Sequence, residues 1–440
     1  MAEVPFGFLR VLCLLMGIGM LGWPLTVRAQ ADAVMPVASG KPAAEAQSLE
    51  PGSLDGGPGV RTSPLESRLV EGLRAIGASD MKAALDTFSQ LTREQPTFRL
   101  AQLIYGDLLM SQARGVSHVG GGVADGAPGR EALEGLLDEA RARISHFRSR
   151  PDDDRLPADL LHFSSREEHA VVVDLSESRL YLFENSAGIP QLVADFYISS
   201  GKNGADKQQQ GDKRTPVGLY FITDHLPDSK LPDFYGAGAL PISYPNEWDQ
   251  ERKRTGYGIW LHGTPVNTYS RPPRASDGCV ALTNPDFKML ENFTAVGTPV
   301  ILSRKVTWLD QAEWHARKAL FLDHVVRWQS DWDSGDVKRV LQHYSPEFSA
   351  DGVRRESLPQ RLEHLMAADK AAGMGTMSDP SVLGHPGDES LMVITFFVQG
   401  GDEGEGDGLR RQYWRQDSDG VWRIVYERMD PALRFLVQKE

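Results

Sequence analysis

The chain has 440 residues, beyond the usual size of one domain, so two or three domains are expected. An apolar fraction of 41% with 24% charged residues is that of a globular protein and excludes a disordered one. A net charge of −13 excludes a non-specific nucleic-acid binder, whose footprint would be basic.

Arg10 precedes an apolar run from Val11 to Val27, and Ala29 to Ala31 supplies small residues for cleavage, so residues 1–31 read as an export signal to the periplasm. Gly17, Gly19, Gly22 and Pro24 break the run, which is short for a membrane span; an uncleaved anchor is the alternative. Cys13 does not mark a lipoprotein, because the apolar run follows it instead of preceding it. Cleavage leaves Cys279 as the one cysteine. No disulfide framework is then expected, and its thiol is either a buried small hydrophobe or a reagent.

Residues 32–63, rich in Ala, Pro, Gly and Ser, read as a flexible linker. Helical spacing takes over from residue 64 to 165: Leu69, Leu73 and Ile76 share one face, and Ala84, Phe88 and Leu91 another. The paired helices with Ala-x3-Phe and a following Pro96 resemble one tetratricopeptide-type unit, which cannot bury its own faces and must pack on a neighbour or a second copy. Gly115 to Gly129 reads as a loop, with a charged helix after it.

The texture becomes β over residues 166–306. His169 to Asn185 reads as a hairpin around a Ser-Glu-Ser turn. Further strands are expected in Leu192–Gly204, Thr215–His225, Gly256–Gly263 and Gly297–Arg304, giving a mainly-β sandwich or barrel of roughly 130 residues. Residues 307–440 form the third unit. Its first helix is expected to use Ala319, Leu322, Val326 and Gln329 near the face of Trp314 and Trp332, and Asp336 caps a second. Three strands follow, an α+β order. Trp314, Trp328 and Trp332 line a carbohydrate pocket or, by their helical spacing, the core. The order and texture resemble the SnoaL-like, nuclear-transport-factor-like cone fold.

The chemistry gathers in the middle unit. His262 closes an expected strand and is followed by Gly263; a loop then returns through Ser276-Asp277-Gly278-Cys279. Acyl chemistry at cysteine needs a base to form the thiolate and donors for the oxyanion. A glycine before the sulfur permits close backbone approach, so the amides around Gly278 and Cys279 are candidate donors. A histidine at a strand end is equally an ordinary satisfied polar group, and the residues alone leave that alternative open. Among the other histidines none has metal-ligand spacing, and neither a metal nor a cofactor is expected.

Four ordered motifs, "GDKRTPVGLYFI", "IWLHGT", "SDGCVALTNPDF" and "GTPVIL", resemble those of the YkuD family, the L,D-transpeptidase catalytic domain, over about Glu167 to Arg304. The resemblance implies a mainly-β sandwich acting on peptidoglycan peptides at the bond after the L-centre of meso-diaminopimelate. It implies Cys279 as nucleophile, His262 as base and acid, and Gly263 as the carbonyl that orients the imidazole. Ser276 and Gly278 match the loop shaping the oxyanion pocket. Two positions depart from the common pattern: Asp277 stands where relatives carry histidine, and Ala281 where they carry an arginine that meets substrate carboxylate. Arg271 and Arg274 are candidates to replace that arginine, and Asp277 to orient the loop or read a substrate ammonium. Asp224 to Asp249, rich in Pro, Gly and Tyr, is the candidate lid.

The domain order is similar to that of cell-shape L,D-carboxypeptidases with a SnoaL-like C-terminal domain. That likeness implies a homodimer through the N-terminal helices and a ligand pocket in the last domain. Three functions follow: a transpeptidase passing the acyl group to an amine or wall-attached protein, a carboxypeptidase or amidase passing it to water, and a non-catalytic wall-binding protein.

Overall fold

A computed structural model of the chain describes residues 62–112, 120, 129–152, 154–350, 353–371, 379–387, 391–398 and 408–430. The export signal, the linker up to residue 61 and most of the Gly115–Gly129 loop lie outside these residues. Among the described residues no helix is long and apolar enough to cross a membrane.

Four helices come first, α1 (Pro64–Gly77), α2 (Met81–Glu94), α3 (Arg99–Ser111) and α4 (Arg130–Ser149). Asp80 starts α2 by accepting the Ala83 N–H at 3.0 Å, a side-chain cap on an orphan donor. Leu69, Ala84, Phe88, Leu91, Ile104 and Ala140 are buried together. A Cβ at Gly72 would sit 2.6 Å from the Phe88 ring, so α1 and α2 approach closely because that position is glycine. The cluster is completed by Tyr269, contributed from the β-rich unit.

Two short strands, β1 (Leu156–Pro157) and β2 (Leu160–His162), occupy what the sequence presents as a connector. The β-rich unit runs through β3 (His169–Asp174), β4 (Arg179–Ser186), β5 (Ile189–Tyr197), β6 (Ser200–Gly201), β7 (Gly218–Phe221), β8 (Leu226–Pro227) and β9 (Gly238–Pro241). It continues through α5 (Glu247–Glu251), β10 (Trp260–His262), β11 (Arg274–Ser276), β12 (Val280–Ala281), α6 (Asn284–Phe293) and β13 (Pro299–Ser303). One sheet has the order β5-β4-β3-β13-β7 and the other β12-β10-β9-β8. Val171, Val173, Leu180, Leu182 and Val300 from the first face Leu240, Leu261 and Val280 from the second, forming the sandwich core.

The third unit holds β14 (Trp308–Leu309), α7 (Gln311–Ser334), α8 (Val337–Gln342), β15 (Ser349–Ala350), β16 (Val353–Arg354), α9 (Leu358–Ala371), β17 (Ser381–His385), β18 (Leu391–Val398), β19 (Gly408–Gln416) and β20 (Trp422–Asp430). Its sheet has the order β2-β17-β18-β19-β20, and β1 pairs with β14, so the connector is stitched into the C-terminal unit. Ala170, Val172, Tyr181 and Phe183 share a core with Trp314, Phe321, Trp328 and Trp414. This explains why β3 reads as an unbroken apolar run: alternate residues enter two different cores, one on each face of its sheet.

The buried stripe of α7 is Trp314, Phe321, Val325, Trp328 and Trp332. That corrects the face through Ala319, Leu322, Val326 and Gln329, since Ala319 is exposed and Val326 is 60% exposed. The helix is turned so that three indoles and a phenyl ring enter the core, and burying these large surfaces outweighs one valine left in water. The tryptophans are therefore core. Asp336 caps α8, accepting the Lys338 N–H at 2.9 Å, after Gly335 ends α7 in a left-handed conformation (φ 74°).

Candidate active site

Strands β10 and β12 are parallel, with Leu261 opposite Val280 and His262 opposite Ala281. Extending that register by one puts Cys279 beside Trp260. Side chains alternate along a strand, so Trp260, His262, Cys279 and Ala281 share a face, with His262 and Cys279 as diagonal neighbours. The topology thus brings together two residues 17 positions apart in sequence.

His262 is buried, and its Nδ1 lies 2.6 Å from the Gly263 carbonyl. A carbonyl only accepts, so Nδ1 carries the proton and Nε2 is the bare nitrogen. Nε2 is buried with no hydrogen-bond partner among the described residues. Burial lowers the imidazole to about 4, the Gly263 carbonyl opposing and the Arg271 charge adding to it. Gly263 must be glycine: a Cβ there would meet Asn284 Oδ1 at 2.2 Å and the Ala237 nitrogen at 2.8 Å.

The Cys279 thiol donates to the Gly258 carbonyl at 3.3 Å. Burial pushes it above its ordinary range, against the Trp260 backbone N–H and the Arg271 charge, which favour thiolate. The resting pair is accordingly a neutral thiol and a neutral imidazole.

The loop before the sulfur is built from short contacts. Ser276 Oγ accepts the Gly278 N–H at 3.1 Å and donates to the Cys279 carbonyl at 2.6 Å. Gly278 has φ 130°, and a Cβ on it would meet the Arg214 carbonyl at 2.8 Å. The expectation that the Gly278 amide faces an oxyanion is corrected here, because that N–H is taken by Ser276. Both residues shape the loop instead.

Of the two arginines, Arg271 lies at the site. Its guanidinium sits 4.6 Å from the Phe234 ring centroid, and its charge acts on both Cys279 and His262. Arg274 is exposed on β11, and the charges acting most strongly on the thiol are those of Arg271, Asp277 and Lys207. Asp277 is exposed and paired with Lys202 at 3.3 Å, a contact water screens heavily.

Sequence reasoning gave no role to four residues here. Phe234 and Tyr235, within the candidate lid segment, have ring centroids 5.9 Å and 5.2 Å from that of His262. Thr215, fully buried, accepts the Gly201 N–H and donates to the Gly278 carbonyl, each at 2.9 Å. Asn284 Oδ1 accepts the N–H groups of Ala237 at 2.9 Å and Thr264 at 3.0 Å. Thr215 and Asn284 stand inside the motifs "GDKRTPVGLYFI" and "SDGCVALTNPDF", which was the available signal. Among the described residues no group of three or more His, Cys, Asp or Glu is arranged to hold a metal ion.

Comparison with known proteins identifies two of the units by family. Residues 168–302 match the family model of the L,D-transpeptidase catalytic domain, YkuD, and residues 320–428 match the Cds6 C-terminal NTF2-like domain. The chain therefore joins helices, a β-rich YkuD domain and an NTF2-like domain, which bears out both resemblances and the fold class read from the sequence. Bd1075 of Bdellovibrio bacteriovorus is similar in structure at 25% identity and a TM-score of 0.52, over 63% of this chain and 100% of that one. The helical cell shape determining protein Pgp2 of Campylobacter jejuni is similar in fold at 20% identity and a TM-score of 0.50, over 67% of this chain and 99% of that one. No curated protein sequence matches the chain.

Proposed function

We propose that this protein is a peptidoglycan-modifying cysteine enzyme, an L,D-transpeptidase working outside the cytoplasm on tetrapeptide stems. The observation that carries the reading is His262: its proton is fixed on Nδ1 by the Gly263 carbonyl, and its bare Nε2 belongs to the sheet face that also presents Cys279. In this reading Nε2 takes the thiol proton as sulfur attacks the meso-diaminopimelate carbonyl and the C–S bond forms. The backbone N–H of Cys279 is the donor for the resulting oxyanion. Collapse breaks the C–N bond, and the imidazolium returns its proton to the departing D-alanine amine. An acceptor amine then attacks the thioester, His262 takes its proton, and the C–S bond breaks to restore the thiol. Arg271, half-buried with its guanidinium over the Phe234 ring and its charge acting on the thiol, meets a substrate carboxylate in place of the arginine missing at Ala281.

Water as acceptor gives the second reading, an L,D-carboxypeptidase or amidase. What favours it is Asp277 in place of the histidine of the common pattern, with a carboxylate 70% exposed to the water that would be the acceptor. The test is incubation of the purified chain with tetrapeptide muropeptides. Tripeptide alone means hydrolysis, and 3–3 dimers mean transfer. Unchanged turnover by Cys279→Ala would sink both.

A further inference from the structure

Arg271 is a charged residue that acts on both Cys279 and His262, and its place is set by more than its own loop. Four consecutive residues of that loop are held, three by the N-terminal helical unit and one by Tyr197 at the end of β5. The Tyr269 ring packs 4.5 Å from Phe98, and its N–H donates to the Thr97 carbonyl at 3.3 Å. Tyr269 is only 5% exposed and belongs to the helical core. Ser270 Oγ donates to Glu139 Oε1 of α4 at 2.7 Å. The Arg271 carbonyl accepts the Tyr197 hydroxyl at 2.9 Å. Pro272 lies against Gly135, where a Cβ would come within 2.8 Å of its ring.

Those holding groups are themselves locked. Arg143 stacks 3.9 Å over the Tyr197 ring and bonds Glu139 at 2.9 Å, both on or against α4. Arg143 also pairs with Glu66 of α1, and Glu66 reaches Arg179 of β4 at 2.7 Å. In this buried network Glu139 is raised to about 8 by burial while Glu66 joins Arg143 to Arg179, and the directional bonds tie α1, α4 and β4 together while adding little net stability compared with apolar packing.

We propose that the N-terminal helices are a template for the catalytic loop, with Tyr197 and Glu139 as positioning residues that set Arg271 beside Cys279. The proposal rests on the reading above, in which Cys279 is the nucleophile and Arg271 meets a substrate carboxylate. It acts through the Ser270 hydroxyl and the Arg271 carbonyl, so neither positioning residue touches substrate.

The test compares iodoacetate with iodoacetamide as alkylating agents for Cys279 in the full chain at pH 8, each rate read by mass spectrometry of the Cys279 peptide. The probes differ by one carboxylate, so their rate ratio reports how well a cation is placed at the sulfur. Arg271→Ala is expected to lower the ratio roughly fivefold. The double variant Tyr197→Phe/Ser270→Ala, which keeps Arg271, is expected to lose at least half of that effect while its iodoacetamide rate stays within about twofold. Ser270→Thr, which retains a hydroxyl, should recover the wild-type ratio. A double variant with an unchanged ratio overturns the template, as does an Arg271→Ala chain with an unchanged ratio. With tetrapeptide, the double variant should raise KM several-fold at unaltered kcat. Absence of turnover by the wild type would sink the proposed activity, whereas the alkylation ratio would still decide the template on its own.

Discussion

Thr215 and Gly278 are 63 residues apart in sequence and joined by a 2.9 Å hydrogen bond from the Thr215 hydroxyl to the Gly278 carbonyl. The same oxygen accepts the Gly201 N–H, so one buried side chain links the β6 turn to the residue before the sulfur. Thr215→Val keeps the shape but leaves both backbone groups unpaired, which should cost about 2–4 kcal/mol. Thr215→Ser should cost under about 1.5 kcal/mol, because the hydroxyl survives. Chemical denaturation of the three proteins checks the order; equal losses for Val and Ser would mean that the hydroxyl counts for no more than the methyl group.

A second tie crosses the base. Asn284 holds the amides of Ala237 and Thr264 on one oxygen, fastening the lid segment to the strand end that carries His262. Asn284→Ala should speed hydrogen exchange at both amides and lower turnover at least tenfold, while Asn284→Asp, which keeps the acceptor, should stay closer to wild type. The same oxygen is what a Gly263 side chain would strike at 2.2 Å. Gly263→Ala should therefore destabilise less in the Asn284→Ala background than alone. Strict additivity in that cycle would show that the two positions do not share the clash.

His262 and Cys279 were legible through the resemblance of four ordered motifs, because their spacing alone leaves His262 equally an ordinary polar group at a strand end. Arg271 was legible only as one of two equal candidates, since nothing local distinguishes it from Arg274. What separates them is Tyr197, Ser270 and the helices, contacts 74 and more residues away. Thr215 and Asn284 were silent for the same reason: one polar side chain serving two distant backbone groups has no periodicity. The β3 strand betrayed its double-sided burial as an apolar run, but β1 and β2 are too short to signal their pairing with another unit. The face of α7 is misread when aliphatic spacing is weighted over the bulk of Trp328 and Phe321.

The resting state of the pair sets a pH signature. His262 is neutral down to about 4, and burial raises the Cys279 thiol, so no thiolate–imidazolium pair exists in the free protein at neutral pH. Iodoacetamide should label Cys279 slowly at pH 6–8 and faster only as the pH climbs past the ordinary cysteine range. His262→Ala should leave that labelling profile nearly unchanged, since the base is not charging the thiol, yet remove at least 100-fold of turnover by about the general-base contribution. The base works only while unprotonated, so the acid limb of kcat/KM should fall near 4 and not near 6.5. A labelling plateau at pH 6–7 would contradict the neutral pair.

His385 supplies a stability test away from the sulfur. It ends β17, is buried, and its Nδ1 accepts the Leu219 N–H at 3.0 Å across the junction between the β-rich and C-terminal units. Burial lowers its imidazole to about 3, the Arg254 charge assisting and Glu247 opposing. A lowered histidine value means that the unfolded chain binds the proton first. The stability it contributes is thus complete above about 6.5 and is lost as the pH falls toward 3. Buried carboxyls work in the other direction: Glu139 is raised to about 8 and Glu167 to about 7, chiefly by burial, and their contribution is lost as pH rises. Wild-type denaturation alone therefore mixes the two, and His385→Asn isolates one, because the Asn oxygen still accepts the Leu219 N–H. The free-energy gap between wild type and His385→Asn should be widest at pH 7 and above. Below 6.5 it should close by up to about 1.4 kcal/mol per pH unit. A gap that stays flat from pH 7.5 to 5 would mean that His385 titrates alike in the folded and unfolded chain.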